Sequence, residues 1–301
     1  MDYDAIAAVF LVPGKDPIEE PHVPTSSARR LRDALEAIAT QGWWPRPVYD
    51  RMTALGLGFF DGYVWGRAAS LGEPSAPVVA AAFGVFEPTF VGAVYEQGRS
   101  VASRADVLAA REGGAVASLE AVLAGRTDEA VDVADRLLAA TAGLDATARP
   151  LFAGLRALDL PVSPFGRLWR AAELVREHRG DGHLAACIVA GLDPCAMSVL
   201  TELWLGYPVG EYSATRGYDP DAVAAAVAAL EARGWFREGA LSAEGRAARD
   251  AIETATDRSQ DALLDALGAD LEDTIRSAGA LSAAVVAAGA APADPRKRAA
   301  G

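Results

Sequence analysis

The sequence predicts a mainly α-helical protein with one short β-hairpin near its C-terminal end. Three observations predict it. Ser163-Pro164, Asp193-Pro194 and Asp219-Pro220 each set a capping side chain before a proline at the first helical position. Strand-like alternation is scarce, and its best instance is the hairpin-like run at 234–241. With 51% apolar and 23% charged residues, the chain can bury a real core. A length of 301 residues suits two domains of ordinary size.

In chain order, residues 1–25 are rich in proline and acids (Asp16-Pro17-Ile18-Glu19-Glu20-Pro21) and read as an extended arm. A helical, aromatic-rich domain spans 26–160. It opens on Ser26, with Arg29, Arg30 and Arg32 interleaved among Leu31, Leu35 and Ile38. Half of the chain's Trp, Tyr and Phe residues lie between Trp43 and Tyr95, where repeated Gly and Pro keep helices short. Ser103 with Asp106 starts a further helix that ends near Gly125, and Thr127 with Asp128 and Glu129 starts the next. Ser163-Pro164 opens a helix from Phe165 to about His178. Gly180 is expected to end it and Asp181 to cap its successor. The second domain, 161–285, precedes an Ala/Gly/Pro-rich tail, 286–301, expected to be disordered.

From Leu184 the order is helix, turn at Gly191, helix from Asp193, loop through Gly206-Tyr207-Pro208, helix from Asp219 to Arg233, hairpin, then a long helix through about Leu267. The run Leu230-Glu231-Ala232-Arg233-Gly234-Trp235, the turn, and Leu241-Ser242-Ala243-Glu244-Gly245-Arg246 resemble a MarR-like winged helix. More broadly, Trp169–Leu184 and the helices C-terminal to it resemble an actinobacterial helix-turn-helix family, from about Ala28 to Leu281, with His178–His183 as the most specific motif. The resemblance implies a C-terminal winged-helix domain and brings no activity with it.

Charge opposes a nucleic-acid reading. The net charge is -13, so a polyanion is repelled unless cations segregate to one face. A helix reading the major groove offers Arg, Lys, Asn or Gln to base edges. Asp221–Glu231 has no donor side chain in its interior, and only Arg216, Arg233 and Arg237 flank it. Specific DNA binding is therefore not expected, and the module reads as scaffold or homodimer element. Cys187 and Cys195 read as buried thiols. The start lacks a basic leader and no apolar run spans a bilayer, so no membrane partner and a cytoplasmic location are expected.

The chemistry concentrates in His178-Arg179-Gly180-Asp181-Gly182-His183. At a corner between two helices, His178, His183 and Asp181 can do acid–base work, with Arg176, Glu177 and Arg179 as ligand contacts. The same residues read equally as turn formers, a cap and partners of helix-end carbonyls. Two His and one carboxylate match a facial metal triad in type, but their spacing matches no zinc motif, and neither metal nor cofactor is expected. Phe60, Asp61, Tyr63, Trp65 and Arg67, faced by Trp169 from the second domain, are either plain core or the aromatic floor of an inter-domain pocket. The function expected is binding of a small molecule, with or without cofactor-independent catalysis at the histidine corner. The alternative is a MarR-like ligand-responsive DNA-binding regulator.

Overall fold

A computed structural model describes residues 2–11 and 25–299. Asp16–Pro21 and His22 lie outside the described residues. Where the first residues are expected to be extended, they are helix: α1 (Tyr3–Phe10) opens on Asp2, whose carboxylate accepts the Ala5 N–H at 2.8 Å. Asp2 and Asp4 thus serve as cap and first-turn acid. The apolar run behind them buries Ile6 and sets Phe10 against Trp44 and Phe59.

Helix α2 (Ser27–Ala39) is capped by Ser26. The Gly- and Pro-broken stretch forms four short helices, α3 (Arg46–Ala54), α4 (Phe59–Ala68), α5 (Ala76–Phe83) and α6 (Pro88–Val101). After them come α7 (Arg104–Val122), capped by Ser103, then α8 (Thr127–Ala142) and α9 (Pro150–Arg156).

The largest departure from expectation is α10 (Pro164–Val189), one helix of 26 residues that runs straight through Gly180 and Gly182. The histidine corner does not exist. Gly182 serves close approach instead of a turn: a Cβ there would lie 2.4 Å from Ser259 Oγ and 2.9 Å from Arg149 Nη1. Asp181 does cap a helix, but a distant one. Its Oδ2 accepts the Phe152 N–H in the first turn of α9 at 3.1 Å.

Next come α11 (Pro194–Trp204), the short α12 (Glu211–Ala214) and α13 (Pro220–Ala232), with Asp193 and Asp219 capping as their Asp-Pro pairs predict. Strands β1 (Phe236–Arg237) and β2 (Ala240–Leu241) pair antiparallel. Helix α14 (Ala243–Arg258) stops short of the expected end, and α15 (Asp261–Leu267) restarts after Ser259-Gln260. The chain closes with α16 (Leu271–Ala287) and α17 (Pro295–Ala299). The tail expected to be disordered is ordered as far as Ala299. Gln41 Nε2 donates to Ala290 O at 2.9 Å, and Ala293 N donates to Leu11 O at 3.0 Å. These bonds tie it to the turns that follow α2 and α1, a docking that composition alone does not reveal.

Among the described residues three large apolar cores result, beside a small fourth at Trp204, Leu205 and Tyr207. One joins α2, α7, α8, α9 and the first half of α10 to α15 and α16, so the expected boundary at 160/161 falls inside it. The second lies among α3–α7, and the third among α10, α11, α13, β1 and α14. Among the described residues no single helix is long and apolar enough to cross a membrane.

The hairpin's seat on α14 is tight. Ser242 Oγ caps the helix at Gly245 N, 3.0 Å away, and a Cβ on Gly245 would lie 2.1 Å from the Trp235 carbonyl oxygen. Backbone cannot swing aside as a side-chain tip can, so Gly245→Ala is expected to cost about 2 kcal/mol. A urea melt checks this, and an unchanged midpoint would refute the tight fit.

Candidate functional site

Helix α10 brings Arg176, Arg179, Gly180, His183 and Leu184 to one face, at the spacing of successive turns. Facing them are Arg29 and Arg32 of α2, Tyr63 and Arg67 of α4, and Arg249 and Glu253 of α14. Met197, Ser198 and Thr201 of α11 complete the wall. Together they enclose an inner chamber of about 110 Å³. An outer chamber of about 240 Å³ adjoins it, lined by Phe10, Trp43, Trp44, Phe59, Phe60 and Tyr207 among others. Tyr63, Phe86, Arg176, Tyr212 and Arg216 line both.

Ion pairs hold the inner wall. Glu253, only 1% exposed, accepts from Arg249 at 2.6 Å, Arg179 at 2.8 Å and Arg29 at 3.3 Å. Burial pushes its carboxyl up, but Arg249, Arg179, His183 and Arg29 outweigh that and hold it far below the usual range. Glu177 takes a two-pronged grip from Arg67, at 3.1 and 2.7 Å, and a third bond from Arg176 at 2.8 Å. Burial raises its pKa, and Arg67 and Arg176 override burial to bring it down to about 2. Arg32 and Arg176 also reach Glu36, while Arg29 and Arg32 reach Asp33.

Arg216 is different. Its guanidinium lies over the rings of Tyr212 and Phe86, 4.3 and 5.0 Å from their centroids. It donates to Tyr212 Oη at 2.8 Å and Thr215 Oγ1 at 3.2 Å. Its Nε is buried without a hydrogen-bond partner, and among the described residues no carboxylate pairs with it.

The expected site residues divide. His183, Asp181, Arg176, Arg179, Tyr63 and Arg67 line the inner chamber, and Phe60 the outer one. Glu177 stands behind the wall as the counterion of Arg67 and Arg176. His178 does not line either chamber. Its ring meets the Phe152 edge and its Nδ1 lies 2.9 Å from Gln260 Oε1. The pair cannot converge on one atom, because five residues along a helix turn them well apart. The facial triad fails for the same reason.

Nor is either imidazole a neutral-pH acid. Burial, with Arg149 and Arg156, lowers His178 to about 4. Burial, with Arg249 and Arg179, lowers His183 to about 3. Asp181 is the poised group: burial raises its carboxyl to about 7, and its Oδ1 has no hydrogen-bond partner among the described residues.

Three expected aromatic-pocket residues are structural. Trp65 is core, its Nε1 donating to Ala102 O at 2.9 Å. Asp61 accepts the Gly58 N–H at the start of α4. Trp169 is buried under Arg111 and Arg170, away from both chambers. Sequence reasoning missed Arg29, Arg32, Arg249 and Glu253 as site residues. Their one visible signal is arginine recurring on helix faces that also carry apolar residues.

A family model described as a helix-turn-helix family matches residues 28–292. No curated protein and no solved structure matches the chain.

Proposed function

The chain belongs to this helix-turn-helix family, and on that premise we propose that it is a small-molecule-binding protein whose ligand occupies the joined chambers. One observation carries the reading: a single connected wall draws on α2 and α4 from the first half of the chain and on α11, the Tyr212–Arg216 segment and α14 from the second. An occupant touches both halves, so its binding energy bears on how α11–α14 sit against the rest. Asp181 is the residue assigned to any proton transfer there, His183 is a neutral polar contact, and His178 is architecture.

Native mass spectrometry of protein purified from its source tests the reading. A non-covalent adduct is expected on the wild type. It should be absent from Thr201→Trp, which fills the inner chamber while keeping its circular dichroism spectrum. A bare wild-type mass would count against a resident ligand.

The second reading is a ligand-responsive, MarR-like regulator. Family membership and the order α11, α13, hairpin, α14 favour it. The surface argues the other way. Arg233 is spent on the Ala190 and Gly191 carbonyls, and Arg216 is turned into the chambers, which leaves Arg237 as the outward cation beside α13. A mobility-shift assay with DNA from upstream of the coding sequence is expected to give no discrete complex at about 50 mM salt. A sequence-specific, salt-sensitive band would instead make the chambers an effector site.

A further inference from the structure

Among the described residues nine cations line the two chambers of a chain whose net charge is -13: seven arginines in the inner one, with Lys297 and Arg298 added by the outer. Four acids share the lining, Glu36, Asp181, Glu211 and Glu253, and three more, Asp33, Glu177 and Asp257, pair with the arginines from behind. The positive excess is therefore local. Burying guanidinium without a counter-charge is costly, and a bound anion offsets that cost.

The excess has a location. Most of the inner arginines reach a carboxylate within 4 Å, whereas among the described residues Arg216 reaches only hydroxyls and ring faces. Arg216 also lines both chambers, so it stands at their junction. Outward from it the wall turns aromatic and flat. Trp44 and Phe59 lie nearly parallel, 6.0 Å apart at 25°, and Phe10 closes a three-ring cluster, 6.0 Å and 24° from Phe59 and 5.4 Å and 34° from Trp44. Tyr207 and Tyr212 form a second stacked pair in the same chamber, 6.4 Å apart at 22°. Parallel ring faces suit a planar ring better than a branched aliphatic body.

We propose that the ligand is an aromatic acid, its anionic group seated on Arg216 at the junction of the chambers and its planar body lying against Trp44, Phe59 and Tyr212. This rests on the small-molecule reading above and deepens it. Carboxylate, sulfonate and phosphate are alternative forms of the same acidic group. The guanidinium supplies planar, paired donors to any of them, and the aromatic wall selects the body.

A matched pair of fluorescent probes tests it: 8-anilinonaphthalene-1-sulfonate and the uncharged N-phenyl-1-naphthylamine, which share a ring system and differ in the acid. The folded wild type is expected to bind the sulfonate about tenfold more tightly or better. Arg216→Gln should abolish that preference, Arg216→Lys should keep part of it, and Trp44→Ala should weaken both probes. If both bind equally with the Trp44 dependence intact, the aromatic acid is overturned and the ligand chamber stands. If neither binds, or Trp44→Ala changes nothing, the chamber reading falls with it.

Discussion

Glu253→Gln is expected to lower the thermal midpoint by roughly 8 °C, the consequence of losing about 3–5 kcal/mol in a domain of this size. Glu253 joins three elements through one carboxylate, accepting from Arg29 of α2, Arg179 of α10 and Arg249 of α14. An amide keeps the shape, removes the charge and turns N–H donors toward guanidinium donors. Three buried cations then lose their shared counterion. The comparison variant is Glu272→Gln, whose partner Arg30 is exposed; solvent screens that pair, so its midpoint should hold. Thermal melts followed by circular dichroism read both. Equal, small shifts would mean that the Glu253 network is solvated and does not organise the inner wall.

The network's acid dependence has a definite sign. Glu253 is held below its unfolded pKa, so its stabilisation is present above the unfolded value and fades as pH falls through the folded one. The two imidazoles act in the same direction at milder acidity. Lowered to about 4 and about 3 from 6.5, they stay neutral in the fold while the unfolded chain gains protons. Their contribution to stability therefore drops as pH falls from about 6.5 toward 4, against the opposite contribution of Asp181.

Local chemistry is legible in the sequence, and tertiary partnership is not. The caps at Ser103, Ser163, Asp193 and Asp219 are readable because a cap and the N–H it satisfies lie within three residues. Gly180 and Gly182 mislead because a glycine that ends a helix and one that admits a neighbour look alike in one dimension. Ser259 and Arg149, the atoms that need the space at Gly182, are far off in sequence. Asp181 is a capping acid, as its sequence context suggests, but of a different helix. The aromatic stretch contains both core and chamber, and only packing separates Trp65 from Trp44. The arginines of α2 and α14 carry no motif, since their meaning comes from Glu253, which the fold brings to them.

Asp181→Asn should make the protein more stable, by an amount that grows with pH. Asp181 is 4% exposed, and burial raises its carboxyl from an ordinary 3.8 to about 7, with Glu177 adding to the rise and the Phe152 N–H opposing it. Between those two values the folded chain keeps a proton that the unfolded chain has released, so the unfolded state gains by ionising and stability falls as pH rises. Above about 7 both states are ionised and the penalty levels off, at ~4 kcal/mol for a shift of this size. Asparagine accepts the Phe152 N–H through its carbonyl oxygen and never ionises. The variant and the wild type should therefore differ least near pH 4 and most above pH 7, where urea midpoints read the gap. A gap that is the same at both ends would show that the carboxyl does not titrate in this window. The same proton governs the inner chamber. When Asp181 ionises, the positive excess beside Arg67 and Arg179 shrinks by one, so anilinonaphthalene sulfonate should bind the wild type more weakly above pH 7 than below. Asp181→Asn should bind it equally at both, because the change lies in that one carboxyl while the arginines keep their charge throughout.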